Sequence, residues 1–356
     1  MITYADNRLK DEVRNIWQIS FPDDSDDFIN FYFSKKYKNE NTLVYLDNNK
    51  AVACFQMLAY DFTFFEHRLP SAYISGAATL PSYQNKGIMT KLLTAAFLEM
   101  QKNNVPLTTL IPQEERLIKF YERIGHNNAF VYTTEKITLD KTYAVSTDYK
   151  TKPLTDKEKT YAYYASYLAK QNLCVQKSKE DFDAILTFYE IEKGQVVVVE
   201  ANNQIKGLCF INEWNNKIIV KDFIYDDLEA KHSLFNYLFI KFSLREIEVI
   251  RLCRKKENGI TKGMARIINP DLFLDIYAKA HPNINFHFTL IDQQIPTNNK
   301  HYLIHNGQCH PTTTASNIVI DINLLSGLLL GYKTEELSSL YSVFPTYCPY
   351  MSLMLD

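Results

Sequence analysis

The segment with the clearest chemical potential is a short loop between a predicted strand and a predicted helix. The strand is predicted over residues 73–80, the loop contains Lys86, and an amphipathic helix opens at Gly87. The first amide groups of such a helix lack intrahelical partners and point into the loop, so they favour an anion there, most simply a pyrophosphate. Many α/β turns share this arrangement. The loop alone therefore leaves phosphate binding and an ordinary turn both open.

A second group of potential ligands lies near the carboxy-terminal end. His301, His305, Cys309 and His310 are close together in the sequence, and their side chains are of types that bind zinc. They straddle an Asn-Gly pair at 306–307, which is a strong signal for a type I′ hairpin turn. Their spacing is not one that zinc sites use. We therefore predict no metal site.

The overall composition excludes several classes of protein. The chain has 356 residues and a net charge of −2, which allows two to three domains and is too balanced for a protein whose main partner is nucleic acid. The amino terminus lacks the basic and then apolar run of a signal peptide, and no apolar stretch approaches the length of a membrane helix. The six cysteines are scattered, which fits reduced thiols better than disulfides. These features predict a cytoplasmic protein without a nucleic-acid or membrane partner.

Patterns of hydrophobic periodicity divide the chain into three consecutive segments, here called passages. In the first, strand-type and helix-type segments alternate, which indicates a mixed α/β layer. Residues from about 140 to 152 are polar without a period and mark a boundary. The second passage repeats the same order of elements, and a third begins near Met264. We predict domains over residues 1–140, 141–262 and 263–356.

The loop before the predicted helix closely resembles the coenzyme A loop of the GNAT acetyltransferases, whose pattern is Gln/Arg-x-x-Gly-x-Gly/Ala after strand four. Residues 84–88 fill the first five places, and Met89 stands where the family usually has a small residue. The resemblance implies acetyl-CoA as the cofactor, with the pantetheine arm on the preceding strand and the phosphates on amides of the loop and helix start. The cofactor-binding residues implied in this way are Ala77, Ala78, Thr79, Gln84, Asn85, Lys86, Gly87, Ile88, Met89 and Thr90.

A second stretch similar to GNAT proteins follows downstream. Residues 120–126 have the sequence Phe-Tyr-Glu-Arg-Ile-Gly-His, which is similar to the Phe-Tyr-x-x-x-Gly-Phe/Tyr stretch common in that family. By residue type alone, Tyr121 is more often a packed core aromatic, but two motifs in the family's order favour a functional tyrosine. His126 either lines the coenzyme cleft or is a buried structural histidine.

The length of the chain points to one type of GNAT protein, because an ordinary GNAT domain ends near residue 140. The whole chain resembles the enhanced-intracellular-survival (Eis) type. This resemblance implies an α/β (α+β) fold, with two tandem GNAT-like mixed-sheet domains followed by a sterol-carrier-protein-like α+β domain. In the second domain, residues 224–231 contain three carboxylates and no glycine, which would repel a pyrophosphate. One coenzyme site per chain is expected.

The resemblance to Eis-type proteins also implies the catalytic groups. In those proteins the terminal carboxylate reaches back into the first domain as the base, and the motif tyrosine acts as the acid. Carried over, these roles fall on Asp356 and Tyr121. A phenol with a pKa of ~10 can protonate a departing thiolate, and a carboxylate in a dry site can take the proton of an amine. The alternative for Asp356 is a frayed chain terminus.

An acidic tract lies where GNAT proteins often line the acceptor pocket. It contains Asp23, Asp24, Asp26 and Asp27, whose charge would attract cationic amines as substrates. The alternative is a solvated loop in which Asp26 or Asp27 caps the helix that follows.

Together these features predict an acetyl-CoA-dependent N-acetyltransferase that transfers an acetyl group directly to a primary amine. The acceptor is an aminoglycoside-like amine, a polyamine or a lysine, and the sequence leaves a monomer and a homo-oligomer both open. The alternative hypothesis is a non-catalytic protein that binds an apolar ligand through the third domain and keeps a relic GNAT domain. The larger side chain of Met89 favours that alternative.

Overall fold

The computed structural model describes residues 1–137, 142–214, 216–242, 246–253, 257, 259–337, 340 and 342–355. Three consecutive parts of the chain build it, each with strands and helices. Among the described residues, no helix has both the length and the apolar character that a membrane span requires.

The first part places helices on both faces of a sheet. Its strands are β1 (Ile2–Tyr4), β2 (Thr42–Asp47), β3 (Lys50–Phe64), β4 (His67–Thr79), β5 (Leu107–Leu110) and β6 (Asn127–Ile137). Its helices are α1 (Lys10–Ser20), α2 (Asp26–Lys35), α3 (Ile88–Lys102) and α4 (Glu115–Glu122). Short 3₁₀ turns cover Asn39–Asn41 and Pro81–Tyr83.

The second part repeats this arrangement in shorter form. Its strands are β7 (Lys150–Pro153), β8 (Cys174–Val175), β9 (Gln195–Ala201), β10 (Gln204–Trp214), β11 (Lys217–Tyr225) and β12 (Ile247–Leu252). Its helices are α5 (Lys157–Ala169), α6 (Lys179–Ile191) and α7 (Leu228–Phe242).

The third part contributes one strand to the main sheet and builds a small sheet of its own. Its strands are β13 (Ile260–Ile267), β14 (Phe286–Ile291), β15 (Lys300–His305), β16 (Gln308–Thr312) and β17 (Val319–Asp321), and its helices are α8 (Pro270–Ala280) and α9 (Ile322–Leu329). The 3₁₀ turns are Pro296–Asn298 and Thr334–Glu336. Asn306 and Gly307 both have positive φ angles at the turn between β15 and β16, which confirms the predicted hairpin.

One long mixed sheet joins all three parts. Its order is β1-β2-β3-β4-β5-β13-β6-β12-β11-β10-β9-β7, with β8 paired to β3 off this path. Strand β13 lies between β5 and β6 and is antiparallel to both, so the third part is built into the first. The predicted boundary between residues 262 and 263 falls inside β13, and the boundary between 140 and 141 lies outside the described residues. The domain limits stay predictions.

The two faces of the first part's sheet carry separate apolar cores, because successive side chains of a strand point to opposite faces. Cys54 of β3 belongs to the core that buries α1 and α2, while its neighbour Phe55 belongs to the core that buries α3 and α4. The apolar stripe predicted for α3 is buried, with Leu92 and Phe97 fully enclosed. Helices held in this way fix the positions of the loops at the end of β4.

Candidate active site

A cleft opens where β4 and β5 separate. The two strands are parallel and paired only from Ser71–Leu107 to Tyr73–Thr109, while β4 continues to Thr79. The space between the diverging strands is a cavity of about 510 Å³. It is lined by Ile19, Ser20, Phe21, Ala77, Ala78, Thr79, Pro81, Tyr83, Gln84, Asn85, Gly87, Ile88, Met89, Thr90, Gln113, Glu114, Arg116, Leu117, Phe120, Tyr121 and Arg123.

A bulge in β4 shapes the inner wall of this cleft. The β3–β4 register shifts between Cys54 and Gln56, and Gly76 has a φ of +59°. A Cβ atom at Gly76 would lie 2.2 Å from the Trp17 ring and 2.7 Å from Oε1 of Gln56. Only glycine satisfies both the left-handed backbone and this close approach. The bulge turns the following residue, Ala77, toward the cavity wall.

The loop after β4 is held in a fixed shape by its own side chains. Asn85 and Gly87 have φ angles of +60° and +71°, a conformation that asparagine and glycine tolerate best. Nε2 of Gln84 donates to the carbonyl of Thr79 over 3.1 Å. The Tyr83 hydroxyl group donates to Asp47 over 2.9 Å. The loop therefore places the start of α3 at the rim of the cleft.

The N-terminus of α3 is suited to an anion. Gly87 provides no side-chain cap, and the first turn of α3 contains no acidic residue. By contrast, side chains cap the N-termini of α2, α5, α6, α8 and α9. The first amides of α3 therefore lack the partner that those helices have, and they face a cavity lined by Ile88, Met89 and Thr90. Backbone donors and the helix dipole together favour a phosphate group there.

Nine of the ten predicted cofactor-binding residues line this one cavity: Ala77, Ala78, Thr79, Gln84, Asn85, Gly87, Ile88, Met89 and Thr90. The tenth, Lys86, is not among its lining residues. Its ammonium group lies 5.0 Å from the centre of the Tyr83 ring at the exposed edge of the loop, where it adds positive charge beside the α3 N-terminus.

Tyr121 lies on the opposite wall, in the last turn of α4. Its side chain is 7% exposed, and its ring contacts those of Phe120 and His126 at centroid distances of 5.1 and 5.6 Å. Burial raises the pKa of Tyr121 to about 12, because the phenolate form loses its hydration. The hydroxyl group therefore stays protonated at neutral pH, and Tyr121 is one of the residues that line the cavity.

His126 is a structural residue behind the cleft rather than part of its lining. It is fully buried between Phe97 and Tyr121, and neither ring nitrogen has a hydrogen-bond partner among the described residues. Burial, and then the nearby guanidinium of Arg266, hold the pKa of His126 well below its usual range. The ring is neutral and packs as an aromatic.

The acidic tract lies beside the cleft without lining it. Asp23, Asp26 and Asp27 are exposed, and Oδ2 of Asp24 accepts from the Trp17 indole over 2.7 Å. The prediction that Asp26 or Asp27 caps α2 is wrong, because Ser25 is the N-cap and accepts from the amide of Phe28. Both aspartates instead occupy the first turn, where their charge complements the helix dipole.

The carboxy-terminal tail is packed against the first two parts of the chain. The amide of Val175 donates to the carbonyl of Tyr350 over 3.0 Å. Leu355 is 4% exposed and belongs to the core that buries α1 and α2. The chain therefore remains packed up to Leu355, and Asp356 lies outside the described residues.

In the corresponding region of the second part, the protein's own side chains leave a cavity of only about 100 Å³. Strands β11 and β12 are parallel and pair only from Ile218–Ile247 to Lys221–Ile250, and Asp222 follows with a φ of +48°. The carboxylate of Asp222 accepts from the hydroxyl groups of Tyr164 and Tyr350. At the start of α7, the Asp227 carboxylate accepts from the amide of Ala230. An anionic side chain of the protein thus occupies the position that a phosphate would need.

Some cleft residues gave no sequence signal. Ile19, Ser20 and Phe21 come from the end of α1, and Gln113 and Arg123 flank α4. None of them belongs to a spaced motif, and they reach the cleft only because helices on both faces of the sheet end beside the β4–β5 split.

Comparisons with known proteins agree with this geometry. Residues 2–129 match the family described as "Acetyltransferase (GNAT) domain". No curated protein matches the chain. Among solved structures, Eis1 from Mycobacterium abscessus has a TM-score of 0.79 at 14% identity, covering 99% of each chain. A probable N-acyltransferase from Enterococcus faecalis V583 has a TM-score of 0.79 at 17% identity, covering 98% of this chain and 94% of that one.

A third structure has the same fold. It is a GCN5-related N-acetyltransferase from Anabaena variabilis ATCC 29413, with a TM-score of 0.77 at 16% identity, and it covers 98% of this chain and 94% of its own. At these identities the structures show a shared fold. Residues 2–129 are therefore a GNAT acetyltransferase domain, and the chain as a whole shares its fold with these solved structures.

Proposed function

We propose that the protein is an acetyl-CoA-dependent N-acetyltransferase that transfers an acetyl group directly to a primary amine. One observation carries the proposal: the uncapped start of α3 and Tyr121, whose raised pKa keeps its hydroxyl group protonated, line the same cavity of about 510 Å³. The start of α3 is suited to bind a diphosphate, and a protonated tyrosine is suited to protonate a departing thiolate.

The residues of the cleft fit the parts of acetyl-CoA, which supplies the acetyl thioester. The amides of residues 85–90 would hold the diphosphate. The end of β4 around Ala77 and Thr79, which extends beyond the β4–β5 pairing, would offer backbone groups to the pantetheine arm. Lys86 adds a counter-charge at the rim. The cavity remains open beside Met89, which is partly buried and lines it. The larger side chain of Met89, which favoured a relic domain, therefore no longer argues against coenzyme binding.

Tyr121 and Asp356 divide the proton transfers in this proposal. Tyr121 keeps a proton on its hydroxyl, because the raised pKa resists ionisation, and gives it to the leaving sulfur. The terminal carboxylate of Asp356 accepts the proton of the attacking amine. The proposal draws on the burial of Leu355, the residue before it, and on the fact that a carboxylate removed from water is a stronger base.

Cationic amines are the proposed acceptors. Asp23, Asp26 and Asp27 leave three exposed carboxylates next to the end of α1, and that end lines the cleft. Negative charge at the entrance would concentrate aminoglycoside-like amines, polyamines or lysine side chains. The Eis-type assignment, with a sterol-carrier-protein-like third part, belongs to the same proposal.

The direct test is the release of coenzyme A thiol from acetyl-CoA against a panel of amines, together with the melting temperature of the protein with and without CoA. We expect turnover with at least one cationic amine and a higher melting temperature with CoA. An absence of turnover with every amine, combined with an unchanged melting temperature, would contradict the proposal.

Thr90→Glu should separate folding from coenzyme binding. Thr90 is in the first turn of α3, where a glutamate favours the helix through the dipole but repels a diphosphate. We expect the affinity for CoA, measured by calorimetry, to fall tenfold or more, at about 1.4 kcal/mol per decade, while the melting temperature of the free protein is maintained. Lys102→Glu, at the far end of the same helix, is the matched control and should leave the affinity within about twofold.

Removal of Asp356 should reduce turnover tenfold or more, because the new terminal carboxylate would lie one residue, about 3.5 Å, short of its former position. Asp356→Asn retains the α-carboxylate and loses only the side-chain charge. If the α-carboxylate is the base, the deletion lowers kcat and the Asn variant keeps it. Equal activity of the deletion variant and the native protein would remove the proposed base.

A further inference from the structure

The backbone brings two cysteines from distant parts of the sequence together. Leu252, the last residue of β12, pairs with Tyr132 of β6, so Cys253 follows at the level of Val131. The amide of Val131 donates to the carbonyl of Pro349 over 3.2 Å. Cys348 directly precedes Pro349. One strand of the main sheet therefore places the end of β12 and the carboxy-terminal tail side by side.

The thiols of this pair are in contact. The Cys348 thiol is hydrogen-bonded to that of Cys253, and both cysteines are reduced. Cys253 is buried against Gly259, where a Cβ atom would lie 3.1 Å from its sulfur. Cys348 is partly exposed. The Cys348 thiol is thus accessible to solvent, while the Cys253 thiol is buried next to it.

We propose that Cys253 and Cys348 form a thiol pair that a peroxide converts slowly to a disulfide, and that this disulfide locks the carboxy-terminal tail onto the second part of the chain. The proposal does not depend on acyl transfer. It rests on the juxtaposition of the two sulfurs and on the difference in their exposure.

The chemistry requires a peroxide as the oxidant. The Cys348 sulfur attacks one oxygen of hydrogen peroxide, the O–O bond breaks, and a sulfenic acid and one water are formed. The Cys253 sulfur then attacks the Cys348 sulfur, the S–O bond breaks, and a second water leaves as the S–S bond forms. Two thiols and one peroxide become one disulfide and two waters, so the cysteines lose two electrons and the peroxide gains them.

The surroundings of Cys348 set the speed of this oxidation. Burial, the neighbouring Cys253 and the carboxylates of Glu257 and Glu335 raise the pKa of Cys348 to about 12. Only a small fraction is thiolate at neutral pH, and the thiolate is the form that attacks peroxide. Oxidation is therefore slow at neutral pH and should accelerate about tenfold for each pH unit up to pH 10.

The disulfide would act on the tail because of where the cysteines lie in the chain. Almost the whole third part separates them, so the cross-link closes a long loop and restricts the unfolded chain strongly. In the folded protein, Cys348 precedes the segment in which Tyr350 contacts Leu173 and Val175. Fixing Cys348 would restrain that segment against local opening.

The test is oxidation of the full-length reduced protein with hydrogen peroxide at pH 9, followed by alkylation and mass analysis. We expect a mass loss of about 2 Da, two fewer alkylatable thiols and a non-reduced peptide that joins Cys253 to Cys348. The melting temperature should rise by about 3 °C or more and return after treatment with dithiothreitol.

Two variants bracket the result. Cys348→Ser should lose the cross-linked peptide and the melting shift. Cys309→Ser is the matched control, because burial also raises the pKa of Cys309 to about 12 and Cys309 lies on β16, away from the pair. This variant should retain the cross-linked peptide and the melting shift. A disulfide that uses another cysteine, a sulfinic acid at Cys348 without a cross-link, or undiminished thiols after prolonged oxidation would each overturn the proposal. The peptide map of the unsubstituted protein decides this even if a variant does not fold.

Discussion

Tyr121→Phe should lower the turnover number tenfold or more while leaving the affinity for CoA within about twofold. The substitution removes only the hydroxyl group, since phenylalanine fills the same space against Phe120 and His126. A proton donor placed at the leaving group contributes about 10²-fold or more to such reactions. The loss should therefore appear in kcat, measured as CoA release at saturating acetyl-CoA, and not in coenzyme binding measured by calorimetry.

The pH dependence tests whether the Tyr121 hydroxyl group stays protonated throughout the working range. Because burial raises the pKa of Tyr121 to about 12, its hydroxyl group is protonated across the whole range from pH 6 to pH 10. The ratio of native to Tyr121→Phe turnover should then be constant over that range. Tyr163→Phe, which removes a hydroxyl that donates to Asp226 in the second part, is the matched control and should keep full activity. A ratio near one would exclude Tyr121 as the acid.

The sequence predicted residues that line one cavity, because these residues belong to short, local patterns. The loop at 84–88 depends on two left-handed residues, Asn85 and Gly87, and on the helix that begins directly after them. Tyr121 is placed by a single short helix. Such features depend on neighbours within one or two turns of the chain, so their geometry follows from residue type and spacing.

Features that depend on distant pairing could not be predicted in this way. Consecutive strands usually lie side by side, which would place β6 beside β5. The structure instead inserts β13 between them, although its residues come more than a hundred positions later. The segment containing Arg266 was predicted to open a separate domain. Its apolar, β-type pattern gives no sign of which sheet it joins, since a strand pattern specifies a face and not a partner.

The helix cap in the acidic tract shows the same limit at short range. Ser25, Asp26 and Asp27 are all residue types that cap helices, and the choice among them depends on where the backbone leaves the extended conformation. Ser25 has that conformation, with ψ at 152°, and α2 begins at Asp26. The composition therefore indicated a capped, acidic helix start correctly, while the residue responsible was one position away.

The insertion of β13 brings a buried ion pair behind the candidate active site. Both side chains of the Arg266–Asp292 pair are 0% exposed, with Nη2 of Arg266 lying 2.8 Å from each carboxylate oxygen of Asp292. Nη1 of Arg266 also donates to the carbonyl of Ile124 over 2.9 Å. A Cβ atom at Gly125 would lie 1.7 Å from that Nη1. Arg266 therefore connects β13 and Asp292 of the third part to the end of α4, which carries Tyr121.

Arg266→Met should destabilise the protein by about 3–5 kcal/mol, because it leaves the carboxylate of Asp292 buried without its counter-charge. The measurement is the midpoint of urea unfolding at neutral pH. Removing the charge of both partners in Arg266→Met/Asp292→Asn should recover at least half of the loss, since the uncompensated ion is then absent. Lys279→Met, which breaks the exposed pair with Asp275, should change stability by no more than about 0.5 kcal/mol. A single and a double variant of equal stability would show that lost packing of the arginine, rather than the stranded charge, dominates the cost. The end of α4 accepts a hydrogen bond from this guanidinium, so the single variant should also lose turnover at temperatures where it is still folded. If the double variant regains turnover, the stranded charge of Asp292 displaces Tyr121. If it does not, the shape of the arginine side chain is what holds Tyr121 in place.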